Sequence, residues 1–368
     1  MTFFFFRTFA GITGAVKYNK EEDKSMKKLL VMAWIGALVS ATPSWAKELK
    51  KFNAGYLASP GHVLYFVAKE KGYFEEEGLD VDLFLFNNSG EGINAIMAGK
   101  LDVGTFGTTA PLKFIANGSP FTLFGGQMEN GGSGLVTKPE RVKEFQSLKN
   151  FRGKKIGTVR LSTADVVFRG ALQRVGVDWK KDMTLLELES PGAVLEAVKK
   201  GTVDAGMVWS PHLVNCEKMG LKTALYTDTV EKDHSCCRQA ALTSRLSEKS
   251  DDYVHFLRAL IKAYRFYQTK KEETVDIIEK YVKVDKDVLM EETYGGHCAS
   301  HPDPGKKGSI HFWENMRKVG YIDPDTKVDI TKHLNTQLYK KALDSIMKEE
   351  PKDPIYQRLA KEYPLRNL

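Results

Sequence analysis

The sequence predicts an α/β protein built as two doubly wound lobes with a cleft between them, followed by C-terminal helices. Three observations carry this. First, AGKLDVGTFGTTAP at 98–111 and KGTVDAGMVWSP at 200–211 follow one pattern, offset by 102 residues. In each, an apolar helical run reaches a glycine, Gly99 or Gly201, suited to the left-handed position that ends a helix. A short apolar strand follows, and hydroxyl residues with a proline open the next helix. Second, this strand and helix alternation continues from Leu49 onward, as in a parallel doubly wound sheet. Third, the offset is too long for a solenoid repeat and suits two similar lobes, for which 368 residues supply enough core.

The first 46 residues stand apart. MKKLLVMAWIGALVSATPSWA at 26–46 carries Lys27 and Lys28, an apolar run from Leu29 to Val39, and the small-x-small residues Ser44-Trp45-Ala46. This order predicts a secretory signal peptide, with translation starting at Met26 and the mature chain at Lys47. The apolar run is short for a membrane span, and no later stretch reaches the needed length. Residues 1–46 hold six Lys/Arg and three Asp/Glu, so their removal lowers the formal charge from +7 to +4. No basic cluster then marks a nucleic-acid footprint. Hydrophobic and charged contents of 42% and 27% describe an ordinary globular chain.

From Leu49 each element has a local cause. FNAGYLA reads as a strand, Ser59-Pro60 as cap and first helical residue, and VLYFVAKEK as a helix stopped by Gly72. VDLFLF is the second strand, Asn87-Asn88-Ser89-Gly90 opens the helix GINAIMA, and LDVGTF is a third strand leading into Thr108-Thr109. The glycine-dense GGQMENGGSG at 125–134 reads as a linker crossing to the second lobe. There KKIGTVR predicts a strand, and Ser162 with Asp165 forms an S-x-x-D capping box before VVFRGALQRVG. MTLLELE, Ser190-Pro191-Gly192, VLEAVKK, VDAGMVW and Ser210-Pro211 continue the alternation. After KTALYTD and EKDHSCCRQ, ALTSR is expected to return as a strand to the first sheet, and helical apolar spacing from Asp251 predicts helices covering that lobe. The expected division is 1–46 as extension and signal peptide, 47–130 with 236–368 as the first lobe, and 131–235 as the second.

Hydroxyl residues stand at or near six strand-to-helix junctions: Ser59, Ser89, Thr108/Thr109, Ser162/Thr163, Ser190 and Ser210. Open α/β sheets bind ligands at these strand ends, where free backbone N–H groups and helix dipoles favour anionic or polar groups. Capping alone also accounts for such hydroxyls, at about 1 kcal/mol each. Arg160 is a candidate bidentate clamp for a carboxylate or sulfonate, whereas Asp165 already uses the dipole and weighs against a strongly anionic ligand at Ser162. Trp209, at a strand end, is placed to stack on a flat ligand. Gln127 in the linker joins the candidate set, as do His62 and His234, which in a cleft would make affinity pH-dependent near neutrality.

All four cysteines, Cys216, Cys236, Cys237 and Cys298, follow the signal segment. In an oxidising compartment, pairing Cys298 with Cys236 or Cys237 is preferred to the strained ring that neighbours would form; small buried thiols are the alternative. HSCCR at 234–238 and HCASH at 297–301 offer soft metal ligands, but their spacing matches no zinc pattern, so neither metal nor cofactor is expected. No catalytic motif stands in a confirming context.

GYLASPGHVLYFVAKEKGYFEEEGLDVDLF, GEGINAIMAGKLDVGTFGTTAP and DAGMVWSP, in that order, resemble the solute-binding proteins of nitrate/taurine/alkanesulfonate-type ABC importers. The thiamine-precursor pyrimidine binders share this fold, and the similarity spans nearly all of 49–300. The resemblance implies a type II periplasmic binding protein. Its cleft positions here are Ala58, Ser59, Gly61 and His62, then Asn88, Ser89 and Gly90, then Gly107, Thr108 and Thr109. Ser162, Thr163, Ala164 and Trp209 face them from the second lobe. It further implies a monomeric periplasmic carrier without enzymatic activity. Such a carrier closes on a sulfonate, carboxylate, nitrate or pyrimidine-type solute and delivers it to an inner-membrane permease and its ATPase. A metal binder using the Cys/His clusters, a sensory module and a pyrimidine-synthase-like enzyme of the same fold are the alternatives. Beyond Tyr294, GGHCASHPDPGKKGS departs from the family pattern.

Overall fold

A computed structural model describes residues 48–232 and 234–368; the signal-peptide reading of 26–46 lies outside the described residues. Strands β1 (Lys50–Leu57), β2 (Leu79–Phe86) and β3 (Val103–Gly107) pair in parallel with β1 at the centre. They are connected by α1 (Val63–Glu70) and α2 (Ser89–Met97). After α3 (Thr109–Ala116), β4 (Phe121–Gly131) joins the same sheet and β5 (Ser133–Thr137) begins a second one. That sheet gains β6 (Lys155–Val159), α4 (Thr163–Arg174), β7 (Thr184–Leu188), α5 (Pro191–Lys200), β8 (Ala205–Trp209) and β9 (Lys222–Tyr226). Strands β10 (Cys237–Leu242) and β11 (Cys298–Ser300) belong to the first sheet again. The strand orders are β11-β4-β10-β3-β1-β2 and β7-β6-β8-β5-β9.

The remaining long helices are α6 (Ser250–Thr269), α7 (Lys271–Tyr281), α8 (Lys286–Tyr294), α9 (Lys306–Lys318), α10 (Gln337–Glu349) and α11 (Pro354–Asn367). They cover the first sheet, as their apolar spacing predicts. Tyr253, Phe256 and Leu260 of α6 pack with Phe52 of β1, Tyr339 of α10 and Tyr356 of α11 in one core. A second core joins Phe312 and Trp313 of α9 to α2, α3 and Val166 of α4. The second sheet has its own cores on its two faces, around Val136 and Val208 and around Leu135 and Phe168.

The two-lobe α/β expectation holds, with three corrections. The glycine-rich 125–134 segment is strand rather than linker: β4 runs to Gly131, and only Gly132, at φ +49, separates it from β5. Its glycines serve close packing, since a Cβ on Gly126 would lie 2.1 Å from the Asp303 carbonyl oxygen. The returning strand is Cys237–Leu242, not ALTSR, of which Thr243 begins a helix running to Glu248. Buried polar pairing disguised it: Gln239 donates to the Gly126 carbonyl and Arg238 to the Met128 carbonyl. Finally, the sheets are mixed. β10 runs antiparallel to β3 and β4, and β5 to β8 and β9, because the chain reverses where it crosses between sheets.

Candidate functional site

Three helix starts converge between the sheets. At the end of β1, the Ser59 hydroxyl accepts from the Gly61 N–H at 3.3 Å, closing the turn that leads into α1. At α2 the cap is Asn88, whose side chain accepts from Glu91 N–H at 3.0 Å. The neighbouring Ser89 hydroxyl instead turns inward and accepts from Gly107 N–H at 3.1 Å. At α4 the Ser162 hydroxyl accepts from Asp165 N–H, but the capping box is only half formed. Asp165 is buried and forks onto Arg169 at 2.8 and 2.6 Å instead of reaching back to Ser162. Burial pushes the Asp165 carboxyl up in spite of that partner. Leu161, just before the cap, sits in left-handed backbone at φ +61, a conformation that costs a branched residue about 1–3 kcal/mol.

These starts line a cavity of about 30 Å³, room for a water or two. Of the expected residues, Ser59, His62, Ser89, Gly107, Ser162, Thr163, Ala164 and Trp209 line it. Leu57, Met128, Gly131, Ser133, Cys236 and Cys237 line it as well, and sequence reasoning did not foresee them. No Lys, Arg, Asp or Glu is in the lining.

The other expected residues lie elsewhere. Gly61 is wedged behind the wall, where a Cβ would come 2.0 Å from the Met128 methyl carbon; Ala58 also lies outside the lining. Thr108 donates to the Cys236 carbonyl, Thr109 is buried beside it, and Gln127 donates to the Gly61 carbonyl. Asn88, Gly90 and Arg160 line a separate outer cleft of about 290 Å³ with Glu91 and Glu189. Arg160 is therefore no clamp for a group held in the inner cavity. His234 is buried off the cavity with Nδ1 against the Glu231 carbonyl at 2.9 Å. Ser210 is no cap; its hydroxyl bonds the Glu292 carboxyl.

The expected histidine pH sensor also fails. Leu57 N–H donates to His62 Nδ1 at 3.1 Å, so the ring's proton is on Nε2. Burial lowers its pKa to about 3, leaving it neutral near pH 7. Burial lowers His234 too. Glu292 of α8, by contrast, is raised to about 7 by burial although His297 pulls it down. His297 bonds Asp228 at 3.0 Å and stacks on Tyr226 of β9 at 3.8 Å between ring centres. The segment that departs from the family pattern thus reaches the second sheet. Direct ties between the lobes also include Thr163 Oγ1 to the Cys236 carbonyl at 3.1 Å and Asn88 Nδ2 to the Glu189 carbonyl at 3.1 Å.

All four cysteines are free thiols, with Cys236, Cys237, Cys298 and Met128 in one buried cluster. Among the described residues, no group of three or more His, Cys, Asp or Glu is arranged to hold a metal ion, and no helix is long and apolar enough to cross a membrane.

Two α/β lobes closing over helix starts define the periplasmic-binding-protein fold. The chain belongs to the family described as NMT1/THI5 like, whose sequence profile matches residues 59–274. A protein of Brucella abortus named as a candidate binding protein is 25% identical over 275 residues, 71% of this chain and 82% of that one. A candidate aliphatic sulfonates-binding protein of Bacillus subtilis is 27% identical over 249 residues, 66% of this chain and 73% of its own. The 4-amino-5-hydroxymethyl-2-methylpyrimidine phosphate synthase of Schizosaccharomyces pombe is 33% identical over 109 residues, covering 29% and 31%. Among solved structures, the ligand-binding component of an ABC-type import system from Staphylococcus aureus, with zinc bound, superposes with a TM-score of 0.69 at 19% identity, covering 80% of this chain and 99% of that one. The Escherichia coli aliphatic sulphonate binding protein SsuA gives 0.64 at 16%, covering 79% and 99%. The nitrate-binding protein NrtA of Synechocystis PCC 6803 gives 0.68 at 17%, covering 82% and 90%.

Proposed function

We propose that the chain is the solute-binding component of an ABC importer. It is exported to the periplasm, works as a monomer, holds one small solute between its lobes, and hands it to a membrane permease driven by an ATPase. The carrying observation is the cavity between helix starts of both lobes, lined by hydroxyls, sulfur and aromatic surface without a charged side chain. Ser59, Ser89, Ser162 and the N–H groups near them suit the polar or anionic head of a sulfonate, carboxylate, nitrate or pyrimidine. Trp209, Leu57 and Met128 suit a small apolar or planar body. With Arg160 outside, recognition rests on dipoles and hydroxyls rather than on an ion pair.

A volume of about 30 Å³ is smaller than such a solute, so entry requires the lobes to part. The chain crosses between sheets at Gly132 and again through the segment ahead of Cys237, and bending there is the natural hinge. Solute then favours closure through contacts made to both lobes at once. A carrier without chemistry also fits the lining. The one cavity histidine already has Nδ1 occupied, and while the lobes are closed, contact with Cys236 and burial push the Cys237 thiol well above its usual range, away from nucleophilic use on a held solute.

The test is thermal melting of the purified chain against taurine, longer alkanesulfonates, nitrate, aromatic carboxylates, pyrimidines and divalent metals. One organic class should stabilise it, by about 2.7 kcal/mol at a hundredfold excess over Kd. No shift with any organic compound, or a rise only with metals that chelator reverses, would end this reading.

A further inference from the structure

The return crossing between the sheets carries two consecutive cysteines, and the peptide joining them is tied to both lobes. Cys236 and Cys237 line the cavity, and their sulfurs lie 3.6 Å apart. The Cys236 carbonyl, part of the peptide unit between them, accepts three hydrogen bonds. Thr108 of the first lobe supplies two, from its N–H at 2.6 Å and its hydroxyl at 2.8 Å. Thr163, at the start of α4 in the second lobe, supplies the third at 3.1 Å. Cys298 and Met128 pack against the pair.

We propose that Cys236 and Cys237 form a reversible vicinal disulfide by exchange with a small-molecule or protein disulfide when the lobes are open, and that this bond weakens closure. One cysteine thiolate attacks a sulfur of the incoming disulfide, forming a mixed disulfide and releasing one thiolate. The second cysteine attacks the protein-bound sulfur of that intermediate and releases the other. Both cysteine protons end on the two released thiols, so the two-electron oxidation of the pair is matched by reduction of the incoming disulfide.

Bond formation draws the sulfurs from 3.6 Å to about 2.05 Å and closes an eight-membered ring that contains the Cys236–Cys237 peptide. A peptide in so small a ring departs from relaxed planar trans geometry, which turns the Cys236 carbonyl relative to its donors. Thr108 holds it twice from its own lobe, so the single bond from Thr163 is the one to break. Losing one hydrogen bond between the lobes corresponds to about a two- to tenfold change in the closing equilibrium. The closed form also shields the pair, with Cys236 and Cys237 only 6% and 4% exposed, so exchange runs through the open form. The chemistry of the pair is independent of any solute; its effect on closure rests on the two-lobe carrier reading.

The full chain is equilibrated in glutathione buffers of graded oxidised-to-reduced ratio, quenched by alkylation under denaturing conditions, and mapped by peptide mass. At oxidising ratios the peptide holding Cys236 and Cys237 should lose two hydrogens and escape alkylation, while Cys216 and Cys298 are alkylated. Cys298→Ser should behave the same way. A crosslink from either cysteine to Cys298, or full alkylation at every ratio, overturns the proposal. Small-angle scattering without solute reads the link to closure: the oxidised chain should have the larger radius of gyration, and equal radii break the link. The melting panel, run on both forms, separates the two readings. A compound bound two- to tenfold more weakly by the oxidised chain supports the link, and equal affinity breaks it. If the pair oxidises and no panel compound shifts either form, the dithiol stands and the carrier reading falls.

Discussion

The two junctions that the sequence writes alike, Gly107-Thr108-Thr109 after β3 and Trp209-Ser210-Pro211 after β8, meet different neighbours. β3 is buried along its whole length, and it ends without a side chain. A Cβ on Gly107 would come 2.9 Å from Thr163 Oγ1 and 3.2 Å from Ser89 Oγ. β8 ends in the half-buried Trp209, which lines the cavity, and Ser210 bonds Glu292 of α8. The same helix-stop, strand and turn pattern builds both junctions. The size of the residue at the strand end then decides whether the other lobe comes into contact there or a wall stands for a solute.

Filling the glycine end should have the largest effect. Gly107→Leu forces a side chain into the approach of Thr163 and Ser89, and overpacking of this kind costs about 3 kcal/mol. Closure should weaken roughly a hundredfold, read by titration calorimetry with the compound found in the melting panel. Unchanged affinity would remove Gly107 as the point of approach.

The next test acts on the other junction. Glu292, raised to about 7, keeps its proton in the folded chain at pH values where the unfolded chain, with a carboxyl near 4.3, has lost it. The contribution is full below about 4.3 and is lost as pH rises through about 7. Glu292→Gln should flatten this slope and raise stability at pH 8 by about 2–3 kcal/mol, each pKa unit being worth about 1.4 kcal/mol. Denaturant melts of variant and parent at pH 5 and pH 8 show it. His62, lowered to about 3, slopes the opposite way below about 6.5 and cancels in that comparison. An unaltered slope would acquit Glu292.

Trp209→Ala should reduce solute affinity about tenfold while Trp209→Phe keeps most of it, since an aromatic contact contributes about 0.5–1.5 kcal/mol beyond its area. Equal affinity of Trp209→Ala and the parent would mean that the ring only fills the second lobe. The smallest effect belongs to Thr163→Val, which removes one donor to the Cys236 carbonyl at about 1 kcal/mol. A fivefold loss of affinity is expected; a loss equal to that of Gly107→Leu would mean that the two lobes meet almost wholly through this hydroxyl.

What was legible in the sequence follows from local cause. Gly99 and Gly201 adopt φ values of +71 and +76 where the pattern called for left-handed residues, and Ser59, Ser162 and Ser190 accept from backbone N–H groups at helix starts. These needs are met within a few residues. β4 and β10 were misread because tertiary packing chose their residues: Gln127, Arg238 and Gln239 are buried against one another's strands. The sulfur cluster was legible only as an expected pairing of Cys298 with Cys236 or Cys237; the thiols do come together but stay free, and the part played by Met128 was hidden for the same reason. Met128, Cys236 and Cys298 meet only when β4 stands between β10 and β11. Arg160 had the right charge at a strand end and points to the wrong cleft, a matter of orientation that spacing does not encode.

The chain leaves the first sheet at Gly131, and a Cβ there would lie 2.7 Å from the sulfur of Cys236, the residue before its return. Every strand of the second sheet falls in the stretch between. An unbroken segment whose two ends touch is the unit that a single recombination event can move whole. Exchanging it between relatives would replace Ser162, Thr163 and Trp209 together and leave Ser59 and Ser89 in place. Half of a binding surface would change in one step, with rebuilding confined to the shared core where Val166 and Val167 meet Phe312 and Trp313, and new solute preferences could be sampled as combinations of lobes rather than residue by residue.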